Sequence, residues 1–117
     1  MGVVANRHLE RGIAYKIDGN YDAALVELRA ALAEEPEEGE IHHQLGLVYG
    51  FIGEFEDSLK ALKQAVVLDR HNVGSRNDLA KTYAMLGMYD EAKAEFEEVL
   101  RQDPANEVAL ANIAYFP

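Results

Sequence analysis

The chain repeats itself every 34 residues. Ala24, Ser58 and Ala92 are evenly spaced (58 − 24 = 34 and 92 − 58 = 34), and the same step links Gly12, Gly46 and Ala80. It also links Tyr15, Tyr49 and Tyr83; Gly19, Gly53 and Gly87; Tyr21, Phe55 and Tyr89; Leu28, Leu62 and Phe96; and Ala31, Ala65 and Val99. A fixed period of this length implies one supersecondary unit stacked on copies of itself, none of which can bury its apolar face alone. Nearly any fold with a closed core is excluded by that one feature.

Residues 73–106 show what the unit contains. Leu79, Tyr83 and Leu86 fall on one face of a helix, and Gly87 follows where a helix ends in the left-handed conformation. Asp90 stands where an N-cap belongs, and Ala92, Phe96, Val99 and Leu100 form the apolar face of a second helix that Pro104 stops. Each unit is therefore a hairpin of two short antiparallel helices. The pattern predicts helix A over about 5–17, 39–51 and 73–85, and helix B over about 22–34, 56–68 and 90–102. The chain reads as a single domain, 1–117, with repeats over about 5–38, 39–72 and 73–106 and a partial fourth, 107–117, whose one helix caps the open end of the stack. Gly12, Gly46 and Ala80 let helix B approach helix A closely. Tyr15, Tyr49, Tyr83, Leu28, Leu62 and Phe96 fill the gaps between neighbours.

This pattern resembles the tetratricopeptide repeat over essentially the whole chain. Leu45-Gly46 and Leu79-Ala80 match the family's Leu-Gly pair, Gly19-Asn20-Tyr21, Gly53-Glu54-Phe55 and Gly87-Met88-Tyr89 its Gly-x-Tyr, and Pro36 and Pro104 its late proline. The resemblance implies an all-α, right-handed superhelix (an α-solenoid) of three helix-turn-helix units plus a capping helix. Departures are local. Arg11 replaces the apolar residue of the first Leu-Gly pair, as a solvent-exposed first helix would allow, and His8, His42 and Arg76 stand where the family favours Trp. Arg70 replaces the closing proline, so the junction of repeats two and three is expected to run as a more continuous helix.

Acidic residues outnumber basic ones 21 to 11, a formal charge of −10. Such a field repels nucleic acid and anionic membranes, whose phosphates call for Lys and Arg. The densest acidic run, Glu34 to Glu40, falls at the first inter-repeat turn and reads as a solvated loop. No apolar run approaches the length of a membrane span and no secretory leader is visible, so the expectation is a cytoplasmic protein without direct membrane insertion. The chain has no cysteine, hence no thiolate chemistry.

Catalytic constellations are missing from the pattern. Ser58 and Ser75 are the only serines, and Ser58 occupies the small-residue position of the repeat. His42 and His43 are adjacent and diverge on a helix, whereas a metal-chelating pair would sit four apart. No glycine-rich phosphate loop remains once the hairpin turns are accounted for. The expectation is a non-catalytic protein with no cofactor and no metal site.

Helix A carries a second stripe that the core motif leaves unused. The family resemblance implies that this stripe lines a concave groove, where extended peptides or helices bind. The candidate groove residues are Asn6, Leu9, Glu10, Ile13, Lys16 and Ile17 from repeat one; His43, Gln44, Leu47 and Phe51 from repeat two; and Asn77, Asp78, Lys81 and Met85 from repeat three. A subclass of the family grips C-terminal carboxylates with Lys, Asn, Asn, Lys and Arg. The matching positions here are Leu9, Ile13, Gln44, Gly74 and Asp78, none of them basic and the last of reversed charge, so this chain is not expected to clamp chaperone tails. Its apolar strip suits a hydrophobic or amphipathic segment of a protein or peptide partner. The alternative is a structural module that forms a homo-oligomer through the groove or through exposed repeat ends, near Ile113, Tyr115 and Phe116.

Overall fold

The computed structural model describes residues 6–117. Among these residues seven helices follow one another: α1 (Arg7–Ile17), α2 (Tyr21–Glu34), α3 (Gly39–Phe51), α4 (Phe55–Leu68), α5 (Val73–Met85), α6 (Tyr89–Gln102) and α7 (Glu107–Ile113). No strand occurs among the described residues. Ala5, the expected start of the first helix, lies outside them.

Local chemistry sets the helix ends. Asn6, Asn72 and Asn106 cap α1, α5 and α7, each side-chain oxygen accepting at 3.0 Å from the amide three residues on, so one orphan donor per helix is satisfied. The other ends of α1, α3 and α5 are closed by Gly19, Gly53 and Gly87 at φ of 78°, 83° and 77°. In each turn the amide beyond the glycine donates back to the repeat's tyrosine carbonyl, Asn20 to Tyr15 at 2.9 Å, Glu54 to Tyr49 and Met88 to Tyr83 at 2.8 Å. That bond, with the left-handed glycine, is the Schellman arrangement.

Two expectations about boundaries are corrected. The B helices begin one residue early, at Tyr21, Phe55 and Tyr89. Met88 therefore holds the N-cap position of α6, without a side-chain bond, and Asp90 lies in the first turn, where it can only complement the helix dipole. The Arg70 junction is not a continuous helix either. Asp69 turns the chain out of α4 at φ −137°, ψ 84° and Asn72 starts α5 afresh, leaving the same four-residue gap as at the two proline junctions.

The core runs along the stack in layers that join helix B of one repeat to helix A of the next. Ala24, Leu25 and Leu28 of α2 meet Ile41, Leu45 and Val48 of α3. Leu62 and Val66 of α4 meet Leu79 and Tyr83 of α5 together with Ala92. Phe96 and Val99 of α6 meet Ala80 and Ala109, so α7 covers the last layer. This layering explains why Tyr15 and Arg11 are exposed while Leu45, Leu79 and Tyr83 at the matching positions are buried. Each of those positions packs against the preceding helix B, and none lies beside α1 among the described residues. Tyr15 thus does not fill a gap as expected.

Small residues act within each hairpin. A Cβ built on Gly12 would lie 2.6 Å from Leu28 Cγ, and one on Gly46 2.6 Å from Leu62 Cγ. In the third repeat Ala80 is accepted opposite Phe96, whose flat ring replaces the branched leucine. Ser58, fully buried, donates to the Gly46 carbonyl at 2.7 Å, which satisfies its hydroxyl inside the hairpin.

Candidate functional site

The helices α1, α3 and α5 lie side by side, and their shared face carries the candidate residues. Leu47 and Phe51 of α3 and Asp78, Lys81 and Met85 of α5 converge on one recess of about 280 Å³. Ile17, Phe51 and Met85 stand 34 residues apart, at equivalent positions near the ends of the three helices, and are 75%, 58% and 65% exposed. Phe51 is held in place by Tyr21, its ring stacked with centroids 5.5 Å apart and planes at 28°. Ile13 and Lys16 of α1 stand at the repeat positions of Leu47 and Gly50, which line the recess, and Glu10 at that of Gln44.

Other candidates are engaged inside the fold. Asn6 is the α1 cap and also donates to Glu35 Oε2 at 3.1 Å. Leu9 packs against the first core layer. Gln44 and Asn77 are only 8% and 5% exposed. Gln44 accepts from Lys16 Nζ and donates to Glu40 Oε1, both at 2.6 Å, and Asn77 donates to the Asn106 cap of α7 at 3.0 Å. Gln44 ties α3 to α1 and Asn77 ties α5 to the start of α7, so these two present little to a ligand.

His43 is the centre of the polar network. Its Nε2–H donates to Asp78 Oδ2 at 2.8 Å, and its Nδ1 lies 3.7 Å from Glu40 Oε2, within reach of charge attraction but beyond a hydrogen bond. Burial pulls the imidazole pKa down, yet the bond to Asp78, the Glu40 contact and both negative charges outweigh it and push the value up to about 9. The His43 contact in turn holds the Glu40 carboxyl below its usual range, against burial and aided by Gln44 and the Lys16 charge. A chain of side chains, Lys16–Gln44–Glu40–His43–Asp78, therefore crosses α1, α3 and α5, and within it the buried His43 Nδ1 has charge attraction to Glu40 but no hydrogen-bond partner.

Glu40, Phe55, Thr82 and Tyr21 belong to the site and are missing from the candidate set. Glu40 stands three and four residues before His43 and Gln44, a spacing that puts all three on one helix surface. Phe55 and Thr82 line the recess. Phe55 shares the post-glycine aromatic position with Tyr21, the signal that could have found both. Among the described residues no group of three or more His, Asp or Glu side chains is arranged to hold a metal ion, and no helix is long and apolar enough to cross a membrane.

The family model for the tetratricopeptide repeat matches residues 53–113, just over half of the chain. The chain belongs to the tetratricopeptide repeat family, and its fold is the family's right-handed α-solenoid. No curated protein matches it. Among solved structures it is similar to the second tetratricopeptide repeat domain of human RPAP3 in complex with the HSP70 peptide SGPTIEEVD, at 24% identity and a TM-score of 0.87 over 93% of this chain and 91% of that one. The first such domain of Spaghetti (RPAP3), bound to the HSP90 peptide SRMEEVD, gives 22% identity and a TM-score of 0.90 over 98% and 95% of the two chains. MamA gives 22% identity and 0.88 over 92% of this chain and 63% of that one.

Proposed function

We propose that the chain is a non-catalytic protein-interaction scaffold whose α1–α3–α5 face takes an apolar or amphipathic segment of a partner protein. The observation that carries this reading is the row of exposed apolar side chains, Ile17, Phe51 and Met85, repeated at equivalent positions beside Leu47. Similar folds in RPAP3 and Spaghetti hold short peptides, which supports a peptide as the kind of ligand. The ligand differs from theirs in chemistry. Asp78 occupies the position where carboxylate-gripping relatives carry Arg, and Leu9 and Ile13 replace their Lys and Asn, so an acidic tail meets repulsion at Asp78 and finds no basic residue at the clamp positions. Burying one ligand Leu or Phe contributes roughly 1.5–3 kcal/mol, and two or three such anchors, after ordering costs, give binding near micromolar.

Selection from a displayed peptide library, followed by fluorescence anisotropy on wild type and Phe51→Glu, tests this reading. Selected peptides rich in apolar anchors should bind wild type, lose about tenfold or more with the variant, and outcompete an EEVD-ending peptide. Equal binding to the variant, or preference for the acidic tail, refutes it. The second reading is self-association, favoured by the exposed Leu110 and Tyr115 near α7. Phe116 does not contribute there, because it folds back onto Phe96 at 6.0 Å and Tyr89 at 6.2 Å.

A further inference from the structure

A second recess, of about 450 Å³, lies between α2, α3 and α4 and shares no residue with the groove. Leu32, Leu45, Tyr49 and Ala61 form its apolar wall, with His42, Lys60, Asp57 and Gln64 around them. The repeats themselves explain why it is open. In repeat one His8 Nδ1 lies 2.7 Å from Glu27, and in repeat three Arg76 donates to Glu95 at 2.8 Å. Each pair spans 19 residues and ties helix A to helix B. In repeat two the cationic position is His42, but the partner position is Ala61 (42 + 19 = 61). The glutamate is missing, and its volume is missing with it.

The polar atoms left behind point to what would fill the space. His42 Nε2 is taken up by the Pro36 carbonyl at 2.8 Å, which leaves Nδ1, the atom that in His8 meets Glu27. Lys60 makes no ion pair among the described residues, and Arg29 donates to the Tyr49 hydroxyl at 3.2 Å. Two basic side chains, His42 and Lys60, thus line the recess against a single carboxylate, Asp57, in a chain whose formal charge is −10.

We propose that this recess is a binding site for a small organic carboxylate with an apolar body. Its carboxylate takes the place of the missing glutamate, lying against His42 Nδ1 and accepting from Lys60, while its apolar part lies on Leu32, Leu45 and Ala61. The site is independent of the groove reading.

Titration of the isotope-labelled protein with hexanoate, followed by amide NMR, tests the proposal, with hexanamide as the neutral match. Hexanoate should give saturable shifts centred on His42, Leu45, Lys60 and Ala61 at roughly millimolar Kd, and hexanamide should bind about tenfold or more weakly. Ala61→Glu restores the pair seen in repeats one and three, so it should fold and lose hexanoate binding by about tenfold or more. Ala61→Met, which fills the recess without charge, should give the same loss and serves if the glutamate variant fails to fold. Equal binding of hexanamide, undiminished binding in the filled variants, or no saturable shift overturns the proposal. So does binding of a glutamate-bearing peptide where hexanoate does not bind, which would assign the recess to a partner's side chain.

Discussion

Raising the pH should loosen the face between α3 and α5 through a single proton. His43 titrates at about 9 in the folded chain against an ordinary 6.5. A folded-state pKa above the unfolded one means that the charged imidazole stabilises the fold fully below about 6.5, and that this contribution fades as pH rises through about 9. Taken at face value the displacement is worth about 3.4 kcal/mol. The His43 side chain is 13% exposed but its partners Asp78 and Glu40 are 27% and 40% exposed. Solvent screening reduces the figure to about 1–2 kcal/mol. Urea denaturation of wild type and His43→Gln at several pH values between 6 and 10 isolates this term, because every other titrating group is common to both. The stability difference should be largest near pH 6 and shrink by about 1–2 kcal/mol on reaching pH 10. NMR titration of the imidazole gives the midpoint directly. A midpoint near 6.5, or a wild-type-to-variant difference that does not change with pH, would refute the ion-paired geometry.

Two further outcomes follow from the backbone. Gly46→Ala gains about 1 kcal/mol of helix propensity but places its Cβ 2.6 Å from Leu62 Cγ, an overpacking worth about 1–3 kcal/mol, so urea denaturation should show a net loss near 1 kcal/mol, and a gain in stability would contradict the close approach. Gly53→Ala has open space around it yet sits at φ +83°, so thermal or chemical unfolding should reveal a purely conformational loss of about 1–2 kcal/mol, absent if a D-alanine is introduced at the same place by chemical synthesis.

Most of the fold was legible because a repeat states each local rule several times. Glycine at 19, 53 and 87 could only be a helix end, and the left-handed φ at all three agrees. A feature that occurs in one repeat only carries no such redundancy. Arg70 in place of the closing proline permits a continuous helix, while Asp69 and Asn72, which do the turning and capping, are ordinary polar residues in sequence. The groove divided in the same way. Leu47, Phe51, Asp78, Lys81 and Met85 do meet, since equivalent positions on stacked copies must be neighbours. Gln44, His43 and Asn77 lie in sequence on the helix face that the family resemblance links to ligand contact. Whether a polar side chain on that face meets a partner or a neighbouring helix depends on pairings such as His43 with Asp78, 35 residues apart, which periodicity does not encode.

The way these polar groups are engaged also bears on the shape of a ligand. Lys16, Gln44, Glu40, His43 and Asp78 are bonded to one another and the one ring nitrogen left over, His43 Nδ1, is buried, so a peptide backbone gains little by competing for them. What stays available is the row Ile17, Phe51 and Met85, one apolar side chain per repeat. Packed helices sit about 8–10 Å apart, and anchors on a ligand must match that step. A polyproline-type extended segment places every third side chain on one side at about 9.3 Å. A helix reaches about 10.5 Å with residues seven apart. Alternate residues of a β-strand recur at about 6.7 Å and fall out of step by the second repeat. Peptides selected on this face should therefore show apolar residues three or seven apart, and an alternating pattern would mean that the row is not what they contact.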